Sequence, residues 1–197
     1  MTRRHEIAPG TQRWFVPVLV LIVALTHWTP ASTEASPTAS LQDLKAAYVV
    51  QFLRYVEWPE KHRAAEGEPL VIGVVGDSTM VDALDRFATE TIGGHPVRIT
   101  NIIVGQDAER CHLLFVNTSK RNVAQRALLS VEGAGTLTVG DTRGFLDSGG
   151  MIELRIVDNS VRFEVNLSPS RDAGLNISSK LLRLALHVDN ADAAAVN

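Results

Sequence analysis

Three short apolar runs constrain this chain most: "LVIGVVGD" (Leu70–Asp77), "CHLLFVN" (Cys111–Asn117) and "GTLTVGD" (Gly135–Asp141). None alternates strictly between apolar and polar residues, so each reads as a strand buried on both faces, as parallel sheets require. Helical patterns separate them. "STMVDALDRFAT" puts Met80, Leu84 and Phe87 on one face, with Asp77 or Ser78 as cap. "KRNVAQRALLSVE" turns Val123, Ala127 and Leu128 inward behind Ser119. "HPVRITNIIV" adds a strand after the turn Gly93-Gly94. Strand and helix in alternation predict an α/β sandwich with a mostly parallel central sheet.

The flanks complete that fold. Ser40 followed by Asp43 makes a capping box. Leu41, Leu44, Tyr48, Phe52, Tyr55 and Val56 then share one helical face up to Pro59. A polar loop runs from Glu60 to Pro69. After Asp141 the style changes. "GGMIELRIV" and "SVRFEVN" meet at Asp158-Asn159, which predicts an antiparallel hairpin. "ISSKLLRLALHV" predicts a closing helix that buries Ile177, Leu181, Leu184 and either Leu186 or Val188, with Asn176, Ser178 and Ser179 where a cap belongs. The expected architecture is a single-domain sandwich over residues 40–188, with a frayed tail over 189–197.

Residues 1–39 read as a secretory signal. Arg3, Arg4 and Arg13 precede the uncharged run Trp14 to Leu25, and small residues (Ala31, Ala35, Ala39) follow. The run is short for a membrane span, which takes about twenty apolar residues, so cleavage is preferred over an uncleaved anchor and no span is expected in the mature chain. Nineteen Lys and Arg against 22 Asp and Glu give no basic surface for nucleic acid. Cys111 is the single cysteine, which excludes an internal disulfide and a thiolate-rich zinc site.

The chemistry-bearing residues are few. Asp77 and Asp141 follow "VVG" and "TVG", where open α/β sheets bind ligands, and they are the candidate pocket for a small molecule. The same positions suit helix caps and turns. "GDS" at 76–78 invites comparison with GDSL-type esterases using Ser78, but the late histidine, His187, has Leu184 where that family places its Asp. His62, His95, His112 and His187 lack metal-ligand spacing. No metal, cofactor or catalytic set is expected. In the hairpin, Val161, Phe163 and Val165 share one face, while Arg162, Glu164 and Asn166 share the other. That charged face can pair Arg155 or Arg162 with a Glu across the hairpin, Glu164 with a cross-strand arginine among them.

Seven segments in order, "LKAAYVVQFLRYVEWP", "IGVVGD", "CHLLFV", "LTVGD", "FLDSGGMIELRI", "VRFEVN" and "GLNISSKLLRLA", make Leu41 to Leu186 resemble the YfiR/HmsC-like family of exported regulators. The resemblance implies a periplasmic α/β domain without known enzymatic activity. It also implies that the chain binds the periplasmic sensor domain of an inner-membrane diguanylate cyclase and holds it inactive, so that release raises cyclic di-GMP and favours biofilm. Some members staple the fold with disulfides, one through the cysteine matching Cys111, whose potential partner is missing here. Met151, Ile152, Glu164 and Lys180 are the candidate partner-binding residues. The sequence leaves self-pairing into a homodimer open. Export is directly testable: mass spectrometry of the periplasmic fraction should find a mature chain starting between about Ser32 and Leu41, and a full-length cytoplasmic product would contradict it.

Overall fold

The computed structural model describes residues 40–104 and 106–190; the signal segment and residues 191–197 of the expected tail lie outside the described residues. Helix α1 (Leu41–Phe52) opens with the expected capping box. The Ser40 hydroxyl accepts from the Asp43 N–H, while Asp43 accepts from the Ser40 N–H. Hydrogen bonds from Arg86 and Ser40 hold the Asp43 carboxyl below the usual range. One 3-10 turn (Leu53–Tyr55) leads into β1 (Val56–Glu57), ahead of Pro59. Then follow β2 (Leu70–Gly76), α2 (Thr79–Phe87), β3 (Val97–Asn101), β4 (Leu113–Asn117), α3 (Arg121–Leu129) and β5 (Leu137–Gly140). The hairpin is β6 (Ile152–Val157) and β7 (Ser160–Asn166), and α4 (Leu167–Asp172), β8 (Asn176–Ile177), α5 (Ser179–Leu182) and β9 (His187–Asp189) complete the order.

Seven strands form one sheet in the order β3-β2-β4-β5-β6-β7-β9, and β1 pairs with β8 in a separate antiparallel pair. Only β6 and β7 run antiparallel within the large sheet. Asp158 and Asn159 both have positive φ (48° and 56°), as the tight turn of a two-residue hairpin requires. The fold class read from the sequence is the one observed.

Side-chain alternation divides the sheet into two faces. Ile72, Val74, Leu113, Phe115, Leu137, Val139, Ile152, Leu154, Phe163 and Val165 form the larger core with α1 and α2. The Phe52 and Phe163 rings meet edge-on at 5.2 Å. On the other face Val75, Leu114 and Val116 pack with Ala124 and Ala127 of α3 and with Cys111. Gly73 sits mid-strand because a Cβ there would stand 2.6 Å from the Cys111 sulfur.

Three local readings differ. "LSPSRD" forms α4, because the Asn166 side chain accepts from the Ser168 N–H and supplies the cap. Helix α3 has Lys120 at its N-cap and no side-chain cap, so Ser119 does not cap it; the Thr118 hydroxyl accepts from the Lys120 N–H in the turn just before. The final helix is also short. After Leu182 the chain turns, the Leu186 N–H donates to Phe163 O, and β9 extends the sheet beside β7. Leu184, Leu186 and Val188 recur at a spacing of two, the period of a strand, while Leu181, Leu184 and Val188 also fit the three- and four-residue spacing of a helix. Leu184 and Leu186, expected in the core, are 64% and 51% exposed.

Cys111 is buried, and burial, with smaller contributions from Glu109 and Asp107, pushes its thiol up to about 11. A thiol so placed acts as a small apolar side chain. Cys111→Ala should cost about 1–2 kcal/mol in urea unfolding and leave regulation unchanged in oxidising or reducing medium. A disulfide-linked dimer that controls activity would contradict this.

Candidate functional site

The two aspartates meet where the sequence put them. Gly76, Asp77, Asn117, Thr118, Lys120, Asp141 and Thr142 line one open cleft of about 770 Å3 at the carboxyl ends of β2, β4 and β5. A Cβ at Gly76, whose φ is +125°, would fall 1.7 Å from Asn117 O, so only glycine fits there. Both carboxylates are already engaged. Asp77 accepts from the Thr79 N–H at 2.9 Å, at the turn that leads into α2. Asp141 holds the Lys45 ammonium at 2.7 Å, tying α1 to the end of β5. The cleft is thus built largely of fold-stabilising contacts.

Ser78 has no base. It follows the carboxyl end of β2, whereas His187 lies on β9, five positions away in the sheet, or about 24 Å at the usual strand spacing. His62, His95 and His112 gather at the opposite strand ends, where the His62 ring bonds Cys111 O and the His112 ring accepts from Val71. A serine nucleophile needs its base within hydrogen-bond reach. Among the described residues no group of three or more His, Cys, Asp or Glu is arranged to hold a metal.

The hairpin holds the most unusual group, one the sequence reading passed over. Glu153 points to the face opposite the larger core and is 2% exposed. One carboxylate oxygen accepts from the backbone N–H groups of Phe145 and Leu146 at 2.9 and 3.4 Å. The other takes the Arg155 guanidinium at 3.3 Å. Glu153 stands directly across from Glu164, and Arg155 directly across from Arg162. Arg155 also reaches Glu164 at 3.6 Å, so one guanidinium bridges the two acids. The loop Thr142–Gly150 folds back over this face with Phe145 inside it. Gly140 and Gly150 leave room for that ring, since a Cβ on either would meet it at 2.5 or 2.2 Å. "GD" and "GG" on either side of Phe145 carried this signal in the sequence.

The partner-binding candidates are scattered. Met151 and Ile152 are core residues, at 5% and 0% exposure. Both are buried, so neither offers surface to a partner in this structure. Glu164 is half-buried and faces away from Phe163, with His187 beside it on β9. Lys180 is exposed on α5. That helix borders an apolar groove of about 250 Å3, lined by Tyr48, Phe52 and Tyr55 of α1 and the following turn together with Phe163, Leu181 and Leu184. Glu164 and the groove thus lie on opposite faces of β7, joined by the edge strand β9.

A model of the YfiR/HmsC-like family matches residues 42–186. The chain belongs to the YfiR/HmsC-like family. Membership supports a periplasmic role in regulating diguanylate cyclase signalling. No curated protein matches the sequence. Among solved structures, a conserved domain protein from Vibrio cholerae O1 biovar El Tor is similar with a TM-score of 0.54 at 12% identity, over 76% of this chain and 60% of that one. The ABC domain in complex with L-Trp from Streptococcus pneumonia is similar with a TM-score of 0.51 at 12% identity, over 73% of this chain and 60% of that one. The YfiR/HmsC-like chain thus spans 60% of the length of either, and at that identity the likeness is one of fold.

Removing the Glu153 carboxylate takes an acceptor from two N–H groups, leaving Phe145 its bond to Thr142 O, and leaves the half-buried Arg155 guanidinium with Glu164 alone. Glu153→Ala should therefore lower stability by about 3 kcal/mol in urea unfolding and speed hydrogen exchange across residues 142–150. A loss under about 0.5 kcal/mol would show that the carboxylate does not hold the loop.

Proposed function

We propose that this YfiR/HmsC-like chain binds the periplasmic sensor domain of an inner-membrane diguanylate cyclase and keeps the cyclase inactive, lowering cyclic di-GMP. The observation that carries the reading is the exposed apolar surface at the end of the fold. Leu184 and Leu186 are well exposed, and Leu184 borders the groove formed by Tyr48, Tyr55, Phe163 and Leu181. Contiguous apolar surface rimmed by polar groups marks a protein contact. Lys180 and Arg183 stand exposed on the same helix and turn. A partner laid along β9 reaches the groove and Lys180 on one face and Glu164 on the other.

Two other readings draw on the same molecule. The cleft at Asp77 and Asp141 suits a small polar ligand that tunes the partner, although Lys45 and the start of α2 already occupy its carboxylates. A second copy of the chain is the rival occupant of the apolar face, giving a homodimer.

Lys180→Ala should melt within about 0.5 kcal/mol of wild type, while Glu164→Ala, which gives up its part-buried contact with Arg155, should lose about 1 kcal/mol. Each should weaken binding to the cyclase sensor domain, and Leu184→Ala should weaken it by about thirtyfold or more. All three should raise cyclic di-GMP in cells carrying the cognate cyclase. Full repression by all three, at these stabilities, would remove this face from the reading. A wild-type dimer that Leu184→Ala dissolves without loss of repression would assign the face to self-pairing.

A further inference from the structure

The segment Val56–His62 is clasped from two sides. On one side it is fastened to the start of β4. The Trp58 indole N–H donates to His112 O at 3.0 Å, and His62 Nε2 lies 2.9 Å from Cys111 O. A carbonyl only accepts, so His62 Nε2 carries a proton. The His112 ring lies between these anchors, 5.2 Å from the His62 ring and 5.6 Å from the Trp58 ring. His112 Nδ1 accepts the Val71 N–H at 3.1 Å, so that nitrogen carries none.

On its other side the segment supports α5. Val56 and Glu57 of β1 pair with Ile177 and Asn176 of β8. The Asn176 amide donates to Glu57 at 3.0 Å. The Ser178 N–H donates to Tyr55 O at 2.8 Å, and the Ser178 hydroxyl caps α5 by accepting from the Lys180 N–H. The histidine pair and the start of the partner-binding helix are thus opposite ends of one short piece of chain.

We propose that His62 and His112 form an acid-operated latch on the segment Val56–His62, and that opening it loosens α5 and the face it presents to a partner. The chemistry follows from the hydrogen bonds. A proton on His112 Nδ1 removes the acceptor for the Val71 N–H and places a cation beside the His62 and His95 rings, with Glu68 as the carboxylate that opposes them. Lys61 is tied away from the pair by Gly133 O, and Asp107 and Glu109 act on neighbouring Cys111. The strain is relieved when the His62 side of the clasp lifts.

Burial first, and then the His62 and His95 rings, lower the His112 pKa from 6.5 to about 4. An unfolded chain takes up this proton near its ordinary value while the folded chain resists it. The contribution of neutral His112 to stability is therefore complete above about 6.5 and falls away as the pH drops toward 4.

The latch stands on its own geometry, and only its effect on a partner rests on the function proposed above. The test is hydrogen exchange on the protein purified from the periplasm, corrected for intrinsic rates, between pH 7 and about 4.5. Peptides covering residues 54–64 and 176–184 should open together by about tenfold or more as the pH falls. His112→Asn keeps an acceptor at the Nδ1 position and His62→Gln keeps a donor at Nε2, and neither titrates. His112→Asn should stay closed over that range, while His62→Gln, which keeps the titrating His112 but loses one ring beside it, should still open, by a smaller factor than wild type. No change in wild type, or the full wild-type change in His112→Asn, would overturn the latch. Binding of the cyclase sensor domain, measured over the same range, should weaken in wild type and hold in His112→Asn. Opening without loss of binding would overturn the link to the partner face, and failure to bind even at pH 7 would count against the proposed function alone.

Discussion

Covering both faces of a mostly parallel sheet is the constraint on which this structure depends. Strands of this kind need apolar cover on each side, and the chain has few helices to supply it. α1 and α2 close one face over its whole width, from Ile72 to Phe163. α3 closes the other face only over β2, β4 and part of β5. From β6 onward that second face turns polar, with Glu153, Arg155, Arg162 and Glu164 in place of valines and leucines. The changeover is managed by one buried carboxylate. Glu153 draws the loop Thr142–Gly150 down by two backbone N–H groups, and Phe145 on that loop covers Gly140. Without it the sheet would end in an uncovered seam.

The same shortage of helices shapes the far end of the fold. Among the described residues the fold closes with a single helical turn, α5, and an edge strand, β9, and Leu184 and Leu186 are left exposed. What remains exposed is an apolar groove on one side of β7 and a charged hairpin on the other. β1 and β8 link this end of the molecule to the histidine pair beside β4, so a local change of protonation has a short physical path to it.

The parallel core was legible in the sequence because its signals are local and redundant: apolar runs of strand length, capping residues such as Ser40 and Asp43, and a tight-turn pair at Asp158-Asn159. The end of the chain was less so. "LLRLALHV" carries leucines at spacings that suit both a helix and a strand, and only the pairing of β9 with β7 decides between them. Alternation correctly turned Glu164 away from Phe163 and anticipated its contact with Arg155. It could not show that Glu153, on the same face, is buried, because the covering loop comes from eight residues earlier and packs by tertiary contact. Met151 and Ile152 were offered as contact residues, whereas burial places them in the core. Asp77 and Asp141 do share a cleft, as their matching strand ends implied, but the Lys45 partner lies far away in sequence on α1.

The central claim is that a protein partner covers the end of the fold built from α5, β9 and the groove against α1. The direct measurement is a hydrogen-exchange footprint of this chain with and without the periplasmic domain of its cognate diguanylate cyclase. The account predicts protection over residues 47–55 and 177–189, with the strand-end cleft at 117–120 and 141–142 unchanged. Protection confined to that cleft, with the apolar face exchanging as freely as in the unbound chain, would contradict it.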